Sequence, residues 1–284
     1  MKIEVASGSV LLSGYLAGVR DASGPATLKP ASAGPESPAV AETTMERAGE
    51  HQIAARSSNL LILSHGFPAG AAGALTTGHT YPELADHLAF ETGWQVLSFN
   101  FRGTGSSGGD FSLGGWMDDL QAVINFGETL ASVERIWLCG YSTGGALAMC
   151  VAADDMRVQG VAAMASPADF HSWAEDPARL LSESTRTGAI RTPGFPERFD
   201  EWSREIAAIA PLDRIKDIPP RPLLIVHGDE DTTVPVSESR LLADATHGAA
   251  ELCVLKGAGH RLRHDPRAVA LLVGWMERQV SREA

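Results

Sequence analysis

At 284 residues, 44% of them hydrophobic and 20% charged, the chain is long enough to bury a full core. Its formal net charge of -12 and the lack of a long Lys/Arg run exclude the clustered cations that binding to a phosphate backbone requires, so no nucleic-acid partner is expected. Cys139, Cys150 and Cys253 form no CxxC pair and two of them sit in apolar runs, so neither a disulfide framework nor a zinc site is expected and a reducing cytoplasm fits the cysteine usage.

The N-terminal stretch MKIEVASGSVLLSGYLAG alternates polar and apolar residues and reads as a hairpin of two strands turning at Ser7-Gly8, without the continuous apolar core of a signal peptide. From about residue 21 to 58 the chain is rich in Ala, Ser, Pro, Gly and Glu and poor in large apolar side chains, the composition of a flexible insertion; a short helix is expected near residues 42–54. Order returns with NLLILSHGF, a short apolar run of the kind buried in a parallel sheet. WQVLSFNF, RIWLCG, VQGVAAMAS, RPLLIVHG and ELCVLKGAG repeat that character. Helical segments are expected between them at 81–92, 116–130, 143–153, 237–246 and 266–279. This alternation implies an α/β fold, a mostly parallel central sheet with helices on both faces, in a single domain spanning 1–284. Residues 170–220, with several Pro, Arg and Trp, are expected to be irregular and to form a small cap over one edge. No stretch approaches the roughly 18 apolar residues of a membrane span, so no membrane partner is expected.

Two glycine clusters make rival claims. Gly103, Gly105 and Gly108 spell G-x-G-x-x-G after an apolar strand, the signature of a dinucleotide loop. The context argues against it: an earlier parallel strand precedes the loop, GGDFSLGG is too glycine-rich to open a helix before Trp116, and no ribose-binding acid follows at the end of a next strand. The second cluster, Gly140-Tyr141-Ser142-Thr143-Gly144, is G-x-S-x-G between an apolar strand and a helix-forming run. Glycines two residues either side of Ser142 allow a sharp strand-to-helix turn that exposes the serine, with the helix N-terminus favouring negative charge beside it. A serine nucleophile needs a base, and the base needs an acid to fix its tautomer. HGDEDTTVP offers Asp229, Glu230 and Asp231 at the end of a buried strand, and GAGH offers His260 after the last strand.

The order Ser, Asp, His in these contexts resembles the α/β-hydrolase fold superfamily, close in look to the serine aminopeptidase-like and esterase-like single-domain hydrolases. The residues that carry the resemblance are HGF, GYSTGG, HGDEDTTVP and GAGH, and it covers most of 58–284. It implies a triad of Ser142, Asp231 and His260, with Asp229 and Glu230 as turn residues. It implies an oxyanion hole from the backbone N–H groups of Phe67 and Thr143. His65 and His227 are then structural, and His264 a surface residue. The glycine loop becomes the R-G-x-G-x-S stretch that walls the site in many members, Arg102 pairing with a carboxylate such as Asp118 or Asp119. Asn100 stands where relatives often carry an acid. The expected reaction is acyl transfer to water without metal or organic cofactor, on a small soluble ester, with thioester or peptide substrates and acyl transfer as alternatives. A serine at position 142 sets the chain apart from relatives with aspartate or cysteine there, and Cys139 reads as core packing. A ligand-binding protein on the same scaffold is the rival from another class. Trp116 and Trp173 are candidate pocket residues, with Phe67 as a further apolar contact, and nothing in the sequence sets the oligomeric state.

Overall fold

The structure is a computed structural model, and it describes residues 1–18 and 58–281. The expected insertion at 21–58 and its helix at 42–54 lie outside the described residues, apart from Ser58. In chain order the strands are β1 (Lys2–Ser7), β2 (Val10–Ala17), β3 (Asn59–Ser64), β4 (Gln95–Phe99), β5 (Arg135–Tyr141), β6 (Val158–Met164), β7 (Leu223–Gly228) and β8 (Glu251–Leu255). The helices are α1 (Tyr81–Thr92), α2 (Leu113–Glu128), α3 (Thr143–Asp154), α4 (His171–Glu175), α5 (Pro177–Thr187), α6 (Phe199–Ala208), α7 (Pro211–Arg214), α8 (Val236–Ala245) and α9 (Pro266–Ser281).

The strands form one sheet in the order β1-β2-β4-β3-β5-β6-β7-β8. The N-terminal hairpin pairs antiparallel, β2 runs antiparallel to β4, and every pair from β4 through β3 to β8 is parallel. Parallel strands covered on both faces are apolar throughout, and β3, β4 and β7 are buried at every position. Successive side chains then go to opposite faces. Leu60 and Ile62 join Trp116, Leu120 and Ile124 of α2 and Leu147 of α3 in one core. Leu61 and Leu63 join Leu84 and Leu88 of α1 and Leu272 and Trp275 of α9 in the other.

Helix ends follow from local chemistry. Pro82 opens α1, and Gly93, at φ 72°, closes it by donating its N–H to the Ala89 carbonyl. The second helix begins earlier than the expected residue 116: the Ser112 hydroxyl caps it by accepting from the Gly115 N–H at 3.0 Å. The glycines that argued against a helix there serve packing instead, because a Cβ on Gly115 would lie 2.7 Å from Nη1 of Arg102. Residues 170–220, expected to be irregular, are largely helical. Asp176 caps α5 and Gly188, at φ 78°, ends it. The buried positions of α5 are Leu180, Ser184 and Thr187, a helical spacing filled mostly by hydroxyl residues, with Ser184 Oγ donating to the Leu180 carbonyl at 2.8 Å. Among the described residues no helix is long and apolar enough to cross a membrane.

Candidate active site

The parallel strands end at one edge of the sheet, where sites in such folds collect. Ser142 lies between the end of β5 and the start of α3 at φ 53° and ψ -123°, a conformation rare for a residue with a side chain. The turn is possible because its neighbours have none. A Cβ on Gly140 would meet the Gly144 carbonyl at 2.4 Å, and one on Gly144 would meet the His65 carbonyl oxygen at 2.4 Å. Gly66, at the end of β3, is equally constrained, its added Cβ falling 2.8 Å from Cβ of Ser142.

Loops from three further parts of the sheet bring the remaining groups together. His260 follows β8 and Asp231 follows β7. The Asp231 carboxylate is fully buried, its Oδ1 accepting from the backbone N–H groups of Thr233 at 2.8 Å and Val234 at 2.9 Å. Its Oδ2 lies 2.7 Å from Nδ1 of His260, and Nε2 of His260 lies 3.1 Å from Oγ of Ser142. Since an ionised carboxylate only accepts, Nδ1 carries the proton and Nε2 is left with a lone pair facing the serine hydroxyl. Asp229 instead accepts from the Gly257 N–H. His227 is buried beside the same carboxylate, with Nε2 2.9 Å from the Val234 carbonyl and 3.3 Å from Asp231 Oδ2.

Thr143 and Gly144 carry the first N–H groups of α3, which no preceding helical carbonyl can accept. Phe67 lies across from them, after β3, with its ring 5.1 Å from those of Phe111 and Trp173. Beneath it, His65 is locked into the core. Nδ1 lies 2.8 Å from the Gly66 carbonyl, Nε2 accepts from the Phe101 N–H at 3.2 Å, and the Thr104 hydroxyl is 3.0 Å away. Burial lowers the pKa of His65 from 6.5 to about 4. A proton bound more readily by the unfolded chain makes stability fall as pH drops. Wild type is therefore expected to lose on the order of 3 kcal/mol through this group between about pH 6.5 and pH 4. Urea melts of wild type and His65→Gln across that range check it: the two stability curves should converge toward pH 4.

The glycine loop presents none of the N–H groups of Gly103, Gly105 and Gly108 to a phosphate. The N–H of Gly103 donates to the Gly108 carbonyl, that of Gly105 to Ala74 and that of Gly108 to Leu11, so its donors are consumed within the protein. Arg102 at its base chooses Asp119: the backbone N–H, Nε and Nη2 donate to that fully buried carboxylate at 2.8, 3.0 and 2.7 Å. Asn100 donates to Ser13 Oγ. Cys139 is wholly buried, and burial pushes its thiol up.

A cleft of about 950 Å³ opens beside Ser142 and His260. Phe67, Phe170, Trp173 and Leu180 give it apolar walls. Trp116 does not line it. That ring is fully buried one layer below, stacked on Phe101 at 4.4 Å with Nε1 donating to the Arg102 carbonyl, and it supports Phe67 from beneath. Arg186 reaches the cleft but pairs with Glu183, Arg191 is held by Asp110 and the Ser107 carbonyl, and Trp202 is buried against Phe111.

A family model described as the alpha/beta hydrolase fold matches residues 59–183. The esterase Pf2001 of Pyrococcus furiosus superposes with a TM-score of 0.62 at 18% identity, covering 98% of this chain and 91% of that one. Est1E from Butyrivibrio proteoclasticus, solved with ferulic acid bound, gives 0.64 at 17% identity over 99% and 98%. The chain has the α/β-hydrolase fold. In sequence it is similar to the uncharacterised protein YfhR of Escherichia coli O157:H7, 29% identical over 60% of this chain and 54% of that protein, so the match spans about half the relative's length. It is also 24% identical to the uncharacterised protein YqkD of Bacillus subtilis, over 76% of this chain and 69% of the relative. Against the proline iminopeptidase of Levilactobacillus brevis the identity is 26%, over 49% and 50%.

Proposed function

We propose that the protein is a serine hydrolase that cleaves a carboxylic ester or related acyl bond through an acyl-serine intermediate. The observation that carries this reading is the continuous hydrogen-bonded line from Asp231 through His260 to Ser142, at 2.7 and 3.1 Å, ending on a serine held in a strained turn. The esterase neighbours and the iminopeptidase relative are in keeping with acyl transfer.

In this reading Ser142 Oγ attacks the carbonyl carbon while His260 Nε2 takes its proton, and Asp231 holds the imidazole in the required tautomer and stabilises its charged form. The N–H groups of Phe67 and Thr143 receive the oxyanion; losing one such donor typically costs about a hundredfold or more in rate. The aromatic packing around Phe67 keeps its backbone in place. His260 returns the proton to the leaving oxygen, and water then releases the acid by the same route in reverse. The cleft of about 950 Å³ suits a small soluble substrate with an apolar acyl part. The proposal is tested by turnover of a panel of short-chain esters and thioesters: wild type is expected to hydrolyse members of the panel, and Ser142→Ala to lose about 10⁴-fold or more in kcat with an unchanged circular-dichroism spectrum. A folded Ser142→Ala protein with wild-type turnover would remove the reading.

A further inference from the structure

Ser142, His260, Phe67 and Arg261 line two hollows: the cleft already described and a second of about 230 Å³, whose remaining walls come mainly from residues 73–81 and 261–263. The two differ in charge. The large cleft carries Asp169, Asp176, Glu183 and Glu238 among its arginines. Among the described residues the hollow is lined by Arg261 and Arg263 and by no acidic residue, in a chain whose formal net charge is -12. Arg263 is partly buried; its Nε donates to Thr80 Oγ1 at 3.1 Å and its guanidinium carbon lies 5.6 Å above the Tyr81 ring. These contacts hold the fork at the wall without neutralising it, and among the described residues neither Arg261 nor Arg263 is ion-paired to a carboxylate. A partly desolvated cation with spare donors and no counter-ion favours an anionic oxygen.

Resting on the acyl-serine reading above, we propose that this hollow binds the leaving group and selects small alcohols that carry a carboxylate, held by Arg263 with Arg261 beside it. The chemistry assigns the side. In acylation the bond from Ser142 Oγ to the carbonyl carbon forms as the Oγ proton passes to His260 Nε2, and the bond from that carbon to the alcohol oxygen breaks as the same proton passes to the alcohol. In deacylation water attacks from the place the alcohol has vacated, gives its proton to His260, and the acid leaves as Ser142 Oγ regains a proton. Alcohol and water therefore exchange at one place beside His260, while the acyl part stays anchored through both steps. The aromatic wall of Phe67, Phe170 and Trp173 suits the anchored part. The hollow, lined by Thr76, Thr77 and Arg263 and with space for roughly seven waters, suits the exchanging one.

The test compares kcat/KM for O-hexanoyl glycolate and its neutral, equally sized analogue O-hexanoyl glycolamide, using the full chain at low ionic strength. The glycolate ester is expected to be preferred about tenfold or more, chiefly through KM, with the preference shrinking as salt is raised. Arg263→Gln should bring the ratio close to one. So should Thr76→Glu, which places a carboxylate at an exposed position of the same hollow without touching the Arg263 contacts. Labelling of each variant by a fluorophosphonate reports that its site is assembled. Labelled wild type with a ratio of one or below, or a ratio unchanged in both labelled variants, overturns this inference alone. So does a charge preference lost in Arg263→Gln that is seen only when the carboxylate is moved to the acyl side. Absence of both turnover and labelling in wild type removes the acyl-serine reading and this inference with it.

Discussion

Replacing Asp231 by asparagine is expected to lower kcat by about 10⁴-fold while leaving the protein folded. The size of the effect follows from where the two carboxylate oxygens point. Oδ1 accepts from the N–H groups of Thr233 and Val234, and Oδ2 accepts from His260 Nδ1. Two backbone donors can be answered only by the amide oxygen of asparagine, so its NH₂ group is turned toward the imidazole. Nδ1 must then accept, the proton moves to Nε2, and the nitrogen facing Ser142 can no longer take the hydroxyl proton. Because the side chain keeps its shape and its backbone contacts, thermal melting should change little. Steady-state kinetics beside a melting curve separates the two effects: a small kcat loss with an intact fold would contradict the assigned geometry.

The second large effect is on the fold itself. Gly144→Ala places a Cβ 2.4 Å from the His65 carbonyl oxygen and 2.8 Å from that of Ser64, both backbone atoms at the end of the central strand β3. Neither can rotate away as a side-chain tip would, so α3 must shift against the sheet. We expect a loss of about 3 kcal/mol, read as a fall in Tm of roughly 6–12 °C. Activity should fall with it, since the displaced segment bears Ser142 and presses on the turn after β3 that leads to Phe67. Differential scanning calorimetry checks the stability, and a Tm within a degree of wild type would show that the turn is looser than its geometry implies. The same change at Gly274, where the nearest atom to an added Cβ is the Arg278 side chain at 3.7 Å, is the mild control.

Much of the architecture could be read in advance because its signals are local. Buried parallel strands announce themselves as apolar runs, as Leu60 to Leu63 do in β3 and Leu223 to Val226 in β7. The elbow was legible from Gly140 and Gly144, since only a turn that brings backbone against backbone needs glycine two residues either side of a serine. Ser142 and His260, 118 positions apart, could be paired in advance because each sits in a distinctive local setting at the end of a strand. Choosing Asp231 over its neighbours Asp229 and Glu230 needed the family resemblance, as nothing local separates three acids in one turn. In the structure the difference is plain: Asp231 faces inward to His260, while Asp229 accepts from the Gly257 backbone.

What escaped the sequence reading depends on packing between distant segments. The fifth helix was missed because its buried face holds Ser184 and Thr187, whose hydroxyls are satisfied by carbonyls within the helix, so the inward stripe does not look hydrophobic. The start of α2 was misplaced because Gly114 and Gly115 read as helix breakers until the Ser112 cap and the passage of Arg102 beside them are seen. Trp116 reads from the sequence as an apolar contact near the serine. Its indole N–H finds the Arg102 carbonyl, however, and the ring is drawn beneath the cleft floor. The arginine-lined hollow left no motif at all, since its walls at 73–81 and 261–263 meet only when the sheet brings the segments after β3 and β8 together.

The most direct measurement is reaction of the purified protein with a fluorophosphonate, followed by mass spectrometry of the intact chain and of its peptides. A single phosphonyl adduct on Ser142, lost in Ser142→Ala and strongly slowed in His260→Ala, is the expected result. A folded protein that takes no adduct, or takes it on another residue, would contradict the assignment of Ser142 as the nucleophile.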